Sequence, residues 1–436
     1  MYINKVFLAV LLGLISVTAR AGLPIQHWQS ASGAQVYFVE NHDLPILDVS
    51  VNFSAGSSFD TRDKAGTAAM TQGMLALGAG GLSDDRIAGK FAELGAQLGG
   101  DFDPDRAGLK LRTLSSERER SQAVGLFATV LQQPDFPAAV LEREKARTIA
   151  GLREAATQPE SISAKAFSAA LYGSHPYGND EAVEPETVEK ISRDDLAVFY
   201  RAHYTRHGAI VAVIGDLTRS QAEQLAEQLT AKLADGPAAA AIPPLPLPLQ
   251  PVEKRIPHPA AQSHILLGYP GIKRIDPDYF PLYVGNYILG GGGFVSRLTE
   301  EVREKRGLAY SVYSYFMPMR EAGPFQIGLQ TKREQTGQAL ALVRDTLKKF
   351  VKDGPAAQEL KAAKDNLTGG FALRLDSNAK VLDYLEVIGF YSLPLTWLDD
   401  YVGSVNKVTV AQIKDAFARR IKPDNMVTVV VGSDAK

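Results

Sequence analysis

Arg303 and Tyr310 are the two side chains of this sequence best suited to chemistry at a carbonyl. They lie in FVSRLTEEVREKRGLAYSVYSYF, where Arg303 ends a charged helical run and Tyr310 opens a strand after the break at Gly307. Across such a helix–turn–strand a guanidinium and a phenol can reach one point, and both can donate hydrogen bonds to a carbonyl or an oxyanion. Spacing alone favours a plainer account, a surface arginine and a half-buried sheet tyrosine. Just upstream stand four consecutive glycines, Gly290, Gly291, Gly292 and Gly293. They lack the spaced glycines and the Lys-Ser or Lys-Thr of a phosphate loop. Such a run lets backbone approach another chain closely; taken alone, it reads as a plain loop between helices.

The histidines offer less. His203 and His207 in HYTRH are four apart, a spacing that can set two imidazoles on one helical face, but a pair falls short of a metal site. No acidic residue separates them, and a polar turn surface explains them better. His175 sits among Pro176, Gly178 and Asn179, which spell a turn. No Ser/His/Asp set declares itself by a local motif. The stretch KAGTAAMTQGMLAL reads as a helix that opens straight off a strand and turn, a place where active sites are often built. Yet its middle carries only small and apolar residues, with Ala69, Gln72 and Gly73 where reactive side chains would be expected.

Around these residues the chain has 436 positions, enough for two or three domains. Its formal net charge of -2 gives no general attraction to nucleic acid or anionic membranes. Cysteine is absent, which excludes disulfides, thiolate metal sites and a Cys nucleophile. The start, MYINK followed by VFLAVLLGLISV and TARAG, has the basic, apolar and small-residue order of a secretory signal. The apolar run is too short to span a bilayer, which takes about 20 residues. Cleavage after Ala21 is expected, leaving a periplasmic chain without a membrane anchor.

One linker stands out, residues 235–251, rich in Pro and Ala and without charge after Asp235. Such composition favours an extended, semi-rigid spacer. The mature chain then divides into residues 22–234 and 252–436. Both parts open strand-then-helix (VSVNFSAG to TAAMTQGML; SHILLGYPG to PLYVGNYILGG) and close helix–turn–strand (ending AIVAVIG and VVVGS). Matching order in two halves suggests duplication. AQVYFVEN and LPILDVSVNFSAG read as adjacent strands joined by a turn at residues 41–45. Several long segments, AAVLEREKARTIAGLREAAT among them, carry apolar residues at helical spacing. The fold class expected is α+β, two tandem α/β-sandwich domains.

These residues resemble the pitrilysin, or M16, metallopeptidases of the short two-domain bacterial type. LGGGGFVSRLTEEVREKRGLAYSVYSYF carries the resemblance most specifically; YGSHPYG and the VIGD strand add to it. The resemblance implies a LuxS/MPP-like fold and, in the first half, an inverted zinc motif HxxEH with a distal glutamate as further ligand. By that resemblance the ligand positions fall on Ala69 and Gly73 and the general base on Gln72. The distal glutamate falls near Ala150 or Gly151, with Glu144 and Glu154 nearby. Alanine and glycine offer no ligand atom, and a glutamine cannot take a proton as a carboxylate can. The resemblance also makes Arg303 and Tyr310 the substrate-contacting pair that such enzymes bring to a zinc site from a second, related unit, with the Gly290–Gly293 loop beside the substrate.

The expectation is therefore the non-zinc subunit of an exported heterodimeric peptidase, binding no cofactor itself and acting on peptides. An HxxEH-containing homologue would be its partner and would hold the zinc. Two other readings stand beside it: a catalytically inert structural or peptide-binding protein, and a metal-independent hydrolase with an unrecognised site.

Overall fold

The first sheet is built round Ile210–Gly215, an unbroken apolar strand that must be covered on both faces. The computed structural model describes residues 23–236 and 240–432; the expected signal segment and residues 237–239 of the expected linker lie outside them. In chain order the strands of this sheet are β1 (Gln26–Gln29), β2 (Gln35–Glu40), β3 (Ile46–Phe53), β4 (Gln97–Phe102), β5 (Ala107–Leu114) and β6 (Ile210–Gly215). They pair in the order β1-β2-β6-β3-β5-β4. The second sheet comprises β7 (Val252–Ile256), β8 (Gln262–Pro270), β9 (Ser311–Phe316), β10 (Pro324–Lys332) and β11 (Val427–Val431), in the order β7-β11-β8-β10-β9.

The two orders superimpose as β2-β6-β3-β5-β4 on β7-β11-β8-β10-β9. Directions agree as well: β6 and β11 run parallel to β2 and β7, and the other pairs are antiparallel. The duplication expected from sequence is thus a repeat of topology. One expectation fails. β2 and β3 are not neighbours, because β6 lies between them, parallel to one and antiparallel to the other. The apolar strand that closes the half takes the central position, and the turn at residues 41–45 becomes a crossing.

Each sheet has helices of its own half on one face. On the other face the halves exchange helices. Helix α1 (Thr67–Met74) packs in the first core, where Met74 and Leu75 are fully buried. After α2 (Ala138–Ala155) comes α3 (Pro159–Tyr172), which leaves its own half and lays Phe167 and Leu171 on Leu266, Val427, Val429 and Val431 of the second sheet. In the second half α4 (Tyr279–Asn286) occupies the position equivalent to α1, following the central β8 as α1 follows β3. Helix α5 (Asn378–Phe390) returns the exchange, placing Val381, Leu382 and Leu385 on Val39, Ala212 and Ile214 of the first sheet.

Buried polar contacts pin the halves further. Asp105, at the β4–β5 turn, accepts from the Tyr177 hydroxyl at 2.8 Å, the Tyr391 hydroxyl at 2.9 Å and the Arg320 backbone N–H at 2.7 Å. The described part of the linker is extended but not free. Ile242 and Leu245 are buried, and His175 Nε2 lies 2.7 Å from the Pro243 carbonyl oxygen. Among the described residues no helix is long and apolar enough to cross a membrane.

Candidate functional site

Helix α4 does not stop cleanly. It widens into a π-helical turn, Tyr287–Gly291, and a second π-helical segment, Thr299–Glu304, follows the glycines. Such widened turns are rare and gather at functional sites. Gly290 explains the first. The turn lies against the outer edge of β9, where a Cβ on Gly290 would sit 2.6 Å from the Ser314 backbone nitrogen and 2.8 Å from Leu298 Cδ1. Asn286 fastens the same edge: its Nδ2 donates to the Ser314 carbonyl at 3.0 Å, and the Ser314 hydroxyl donates to Asn286 Oδ1 at 2.7 Å. Gly293 takes φ +61 with open space round it, and its carbonyl accepts from the Ser296 hydroxyl at 2.8 Å. Three of the four glycines, Gly290, Gly291 and Gly293, line a cleft of about 750 Å³ between α4, the second π-helical segment and β9. A Cβ on Gly292 would meet the Tyr287 carbonyl oxygen at 2.7 Å.

Arg303 and Tyr310 both line this cleft. The Arg303 guanidinium carbon stands 5.1 Å from the centre of the Tyr310 ring and 4.8 Å from that of Phe294. It is clasped by two aromatics, a geometry in which the ring quadrupoles attract the cation. Its carboxylate neighbour is the adjacent Glu304, at 3.3 Å. Tyr310 is 80% exposed and Phe294 70%, so the clasp faces outward. Tyr313 and Tyr315 continue the aromatic wall, stacked 6.0 Å apart. Sequence reasoning missed Phe294, although it directly follows the glycines, and also Arg274, which enters the cleft from the loop after β8. Nothing local in GIKRIDPDY marks Arg274; only the tertiary fold carries it there.

Helix α1 presents a different scene. Asp60 caps it, accepting from the N–H groups of Gly66 and Ala68 at 2.8 and 2.7 Å, in keeping with the helix dipole. Burial pushes the Asp60 carboxyl up to about 7 against those hydrogen bonds. Ala69 and Gly73 are exposed and border a hollow of about 170 Å³ with Glu144, Arg147 and Thr148 of α2. Gln72 turns aside, its Nε2 donating to the Gly108 carbonyl at 3.2 Å. The residues here do not fit a zinc ion. Ala69 and Gly73 contribute a methyl group and a hydrogen, and Glu144 is held by Arg143 at 3.0 Å and Arg147 at 2.8 Å. Ala150 and Gly151 are exposed on α2 and do not border the hollow. The hollow and the Arg303 cleft share no lining residue.

The histidine pair separates. His203 stacks on Phe199 at 4.3 Å, with Nδ1 3.0 Å from the Ser54 carbonyl oxygen, and burial lowers its pKa. His207 instead stands 3.1 Å from Asp235. Among the described residues three acidic ligand atoms converge only at Asp101, Asp383 and Glu386. There the Lys110 ammonium already contacts all three, at 2.6, 2.7 and 3.1 Å.

The chain matches two family models, one described as insulinase (peptidase family M16) over residues 36–183 and one as the peptidase M16 inactive domain over residues 190–367. A crystal structure of a peptidase M16 inactive domain from Pseudomonas fluorescens is 39% identical, with a TM-score of 0.91, covering 95% of this chain and 98% of that one. The protein named non-peptidase homolog YmxG of Helicobacter pylori is 26% identical over 99% of both chains. The periplasmic protease PqqL of Escherichia coli shares the fold with a TM-score of 0.80 at 13% identity; the match covers 94% of this chain and 45% of that one.

Proposed function

Since this chain belongs to the M16, insulinase-like, peptidase family, we propose that it is the non-zinc subunit of an exported heterodimeric peptidase. A homologue carrying HxxEH would supply zinc, its ligands and the general base. This chain would close the chamber and bring Arg303 and Tyr310 to the peptide, with the turn at Gly290–Gly293 beside it. The observation that carries the reading is the contrast between the two hollows. At α1, Ala69, Gln72 and Gly73 form neither a metal site nor a base. In the cleft, the Arg303 cation lies between Phe294 and Tyr310 in an outward-facing position. Two donors aimed at one carbonyl would orient it and stabilise charge developing on its oxygen.

Kinship with proteins described as an inactive domain and a non-peptidase homolog supports inactivity of the isolated chain. Export rests on the N-terminal MYINK-VFLAVLLGLISV segment, and the fold shared with a periplasmic protease accords with it. N-terminal sequencing of the cell-derived protein should begin after Ala21.

The test is peptide cleavage by this chain alone and with an HxxEH-bearing homologue of the same cell, with and without chelator. Activity should require the mixture and the metal. Arg303→Ala should then lower the rate about 10²–10³-fold, the usual loss for one such donor. Undiminished activity of the Arg303→Ala complex would sink the proposal. The inert-binder reading has one point in its favour, the non-peptidase relative. It predicts a stable complex to which this chain adds no activity.

A further inference from the structure

The cleft is lined by cations but by no carboxylate. Among its described lining residues there is no Asp and no Glu, yet Arg274 and Arg303 both line it. Arg274 forms no ion pair with any described residue, and its buried Nε lacks a hydrogen-bond partner. Its guanidinium stands 5.2 Å from the centre of the Tyr391 ring. Behind the wall a third guanidinium, that of Arg374, donates to the Tyr283 hydroxyl oxygen at 2.9 Å and meets no carboxylate of a described residue within ion-pair distance. The acidic residues of the neighbouring loop are already engaged: Asp276 pairs with Arg420 at 2.9 Å and Asp278 with Arg419 at 2.7 Å. In a chain of net charge -2 this concentration of positive charge is local, and of the two lining arginines Arg303 alone has a carboxylate beside it, that of the adjacent Glu304 outside the cleft lining.

Geometry refines the point. Each lining guanidinium lies over aromatic rings, Arg274 over Tyr391 and Arg303 over Phe294 and Tyr310. A guanidinium over a ring can still donate from N–H groups in its own plane, whose spacing matches the two oxygens of a carboxylate; at Arg274 the Tyr279 hydroxyl is the polar group already in contact. Much of the remaining wall is aromatic, with Tyr279, Tyr313, Tyr315 and Phe316 beside smaller and aliphatic residues.

We infer that the cleft selects peptides bearing a carboxylate next to apolar or aromatic residues, with Arg274 as the specificity-determining residue. The inference rests on the reading of the cleft as a peptide site. The carboxylate can come from an acidic side chain or from a free C-terminus, and both present the same two oxygens.

The mature chain alone would be titrated with four fluorescent octapeptides of one apolar, Phe-containing sequence. One has a free C-terminal carboxylate, one is amidated, one is amidated with a single glutamate, and one is amidated with a single lysine. At low salt one or both carboxylate peptides should bind at least about tenfold tighter than the neutral amide, as a hydrogen bond to a charged group allows. Which of them does identifies the source. The advantage should shrink at 0.5 M salt. Arg274→Gln should abolish it, the advantage being taken as the ratio to the neutral amide's affinity for the same variant, and Arg274→Lys should restore only part. Equal affinities, a preference for lysine, no binding by any peptide, or a salt-insensitive preference in wild type would overturn the inference, each without recourse to a variant. The cleavage assay with Arg303→Ala judges the parent reading separately, since it uses the complex and needs no acidic substrate.

Discussion

Phe167 of α3 brings Cζ and Cε2 of its ring against Gly268 of β8, and this contact joins the two halves of the chain. A Cβ on Gly268 would meet Phe167 Cε2 at 2.7 Å and the Phe325 carbonyl oxygen at 2.8 Å. The ring can shift, but the carbonyl belongs to a paired strand and cannot. Gly268→Ala should therefore destabilise the protein by about 1–3 kcal/mol, the range for overpacking a core. Phe167→Ala alone should cost about 3–5 kcal/mol. The double variant should cost less than the sum, because the smaller side chain vacates the space the methyl needs. Chemical denaturation of the three proteins measures this, and strict additivity would show that the two residues do not share the contact.

Gly290 is constrained by a neighbour rather than by φ. The Ser314 backbone nitrogen and Leu298 leave no room for a methyl group, so Gly290→Ala must push the π-helical turn off the edge of β9. Arg303, which follows on the second π-helical segment, would move with it. In the active complex Gly290→Ala should lower turnover at least tenfold, since small misplacement of an orienting group is costly. Gly293→Ala meets no atom but carries φ +61, so its cost should be strain of about 1 kcal/mol, with little loss of turnover. Kinetics of both variants decide the matter, and equal effects would argue for generic loop flexibility.

How much of this was legible beforehand depends on the range of the interaction. The strand–helix openings and helix–strand closings of both halves follow from local periodicity, and the repeated sheet order bears them out. The placing of β6 between β2 and β3 was not legible, because a turn-like segment at residues 41–45 suits a hairpin and a crossing equally. The exchange of α3 and α5 was also hidden, since an amphipathic helix does not declare whose sheet it covers. For the cleft, Arg303 and Tyr310 were reachable through the resemblance, spacing alone favouring a surface arginine and a half-buried sheet tyrosine. Phe294 and Arg274 were not, as their roles arise only from where α4 and the loop after β8 come to rest.

Asp105 has three donors and, as a carboxylate, oxygens enough for all of them. An amide has one acceptor oxygen, and its NH2 would face donors. Asp105→Asn should leave at least one buried hydroxyl or N–H unsatisfied and cost about 1–3 kcal/mol. The Arg320 loop follows Met317 and Pro318 of the cleft rim, so peptide affinity should fall together with stability. A melting-temperature loss without any change in peptide binding would confine Asp105 to holding the halves together.

Glu386 makes stability depend on pH. It is 1% exposed on α5, where burial first, then a hydrogen bond with Asp101, push its carboxyl up to about 7 against the attraction of Lys110. Facing it are Lys110, Asp101, Asp383 and Arg106, the last at 3.6 Å and itself paired with Asp103. Asp101 moves the other way, its pKa lowered: burial raises it, but hydrogen bonds from Lys110 and Glu386 outweigh that. Asp101 therefore releases its proton at lower pH than Glu386 does. The unfolded chain releases the Glu386 proton near the usual glutamate value of 4.5 and the folded chain only near 7. Between those values the native state holds the extra proton, so this stabilisation is complete below about 4.5 and is lost as pH rises through 7, by at most about 1.4 kcal/mol per pH unit. Glu386→Gln keeps a hydrogen-bonding group without the titration. Its urea midpoint should depend less on pH from 5 to 8 than that of wild type and should exceed it at pH 8. An unchanged pH slope would mean that Glu386 stays ionised beside Lys110 in the native protein.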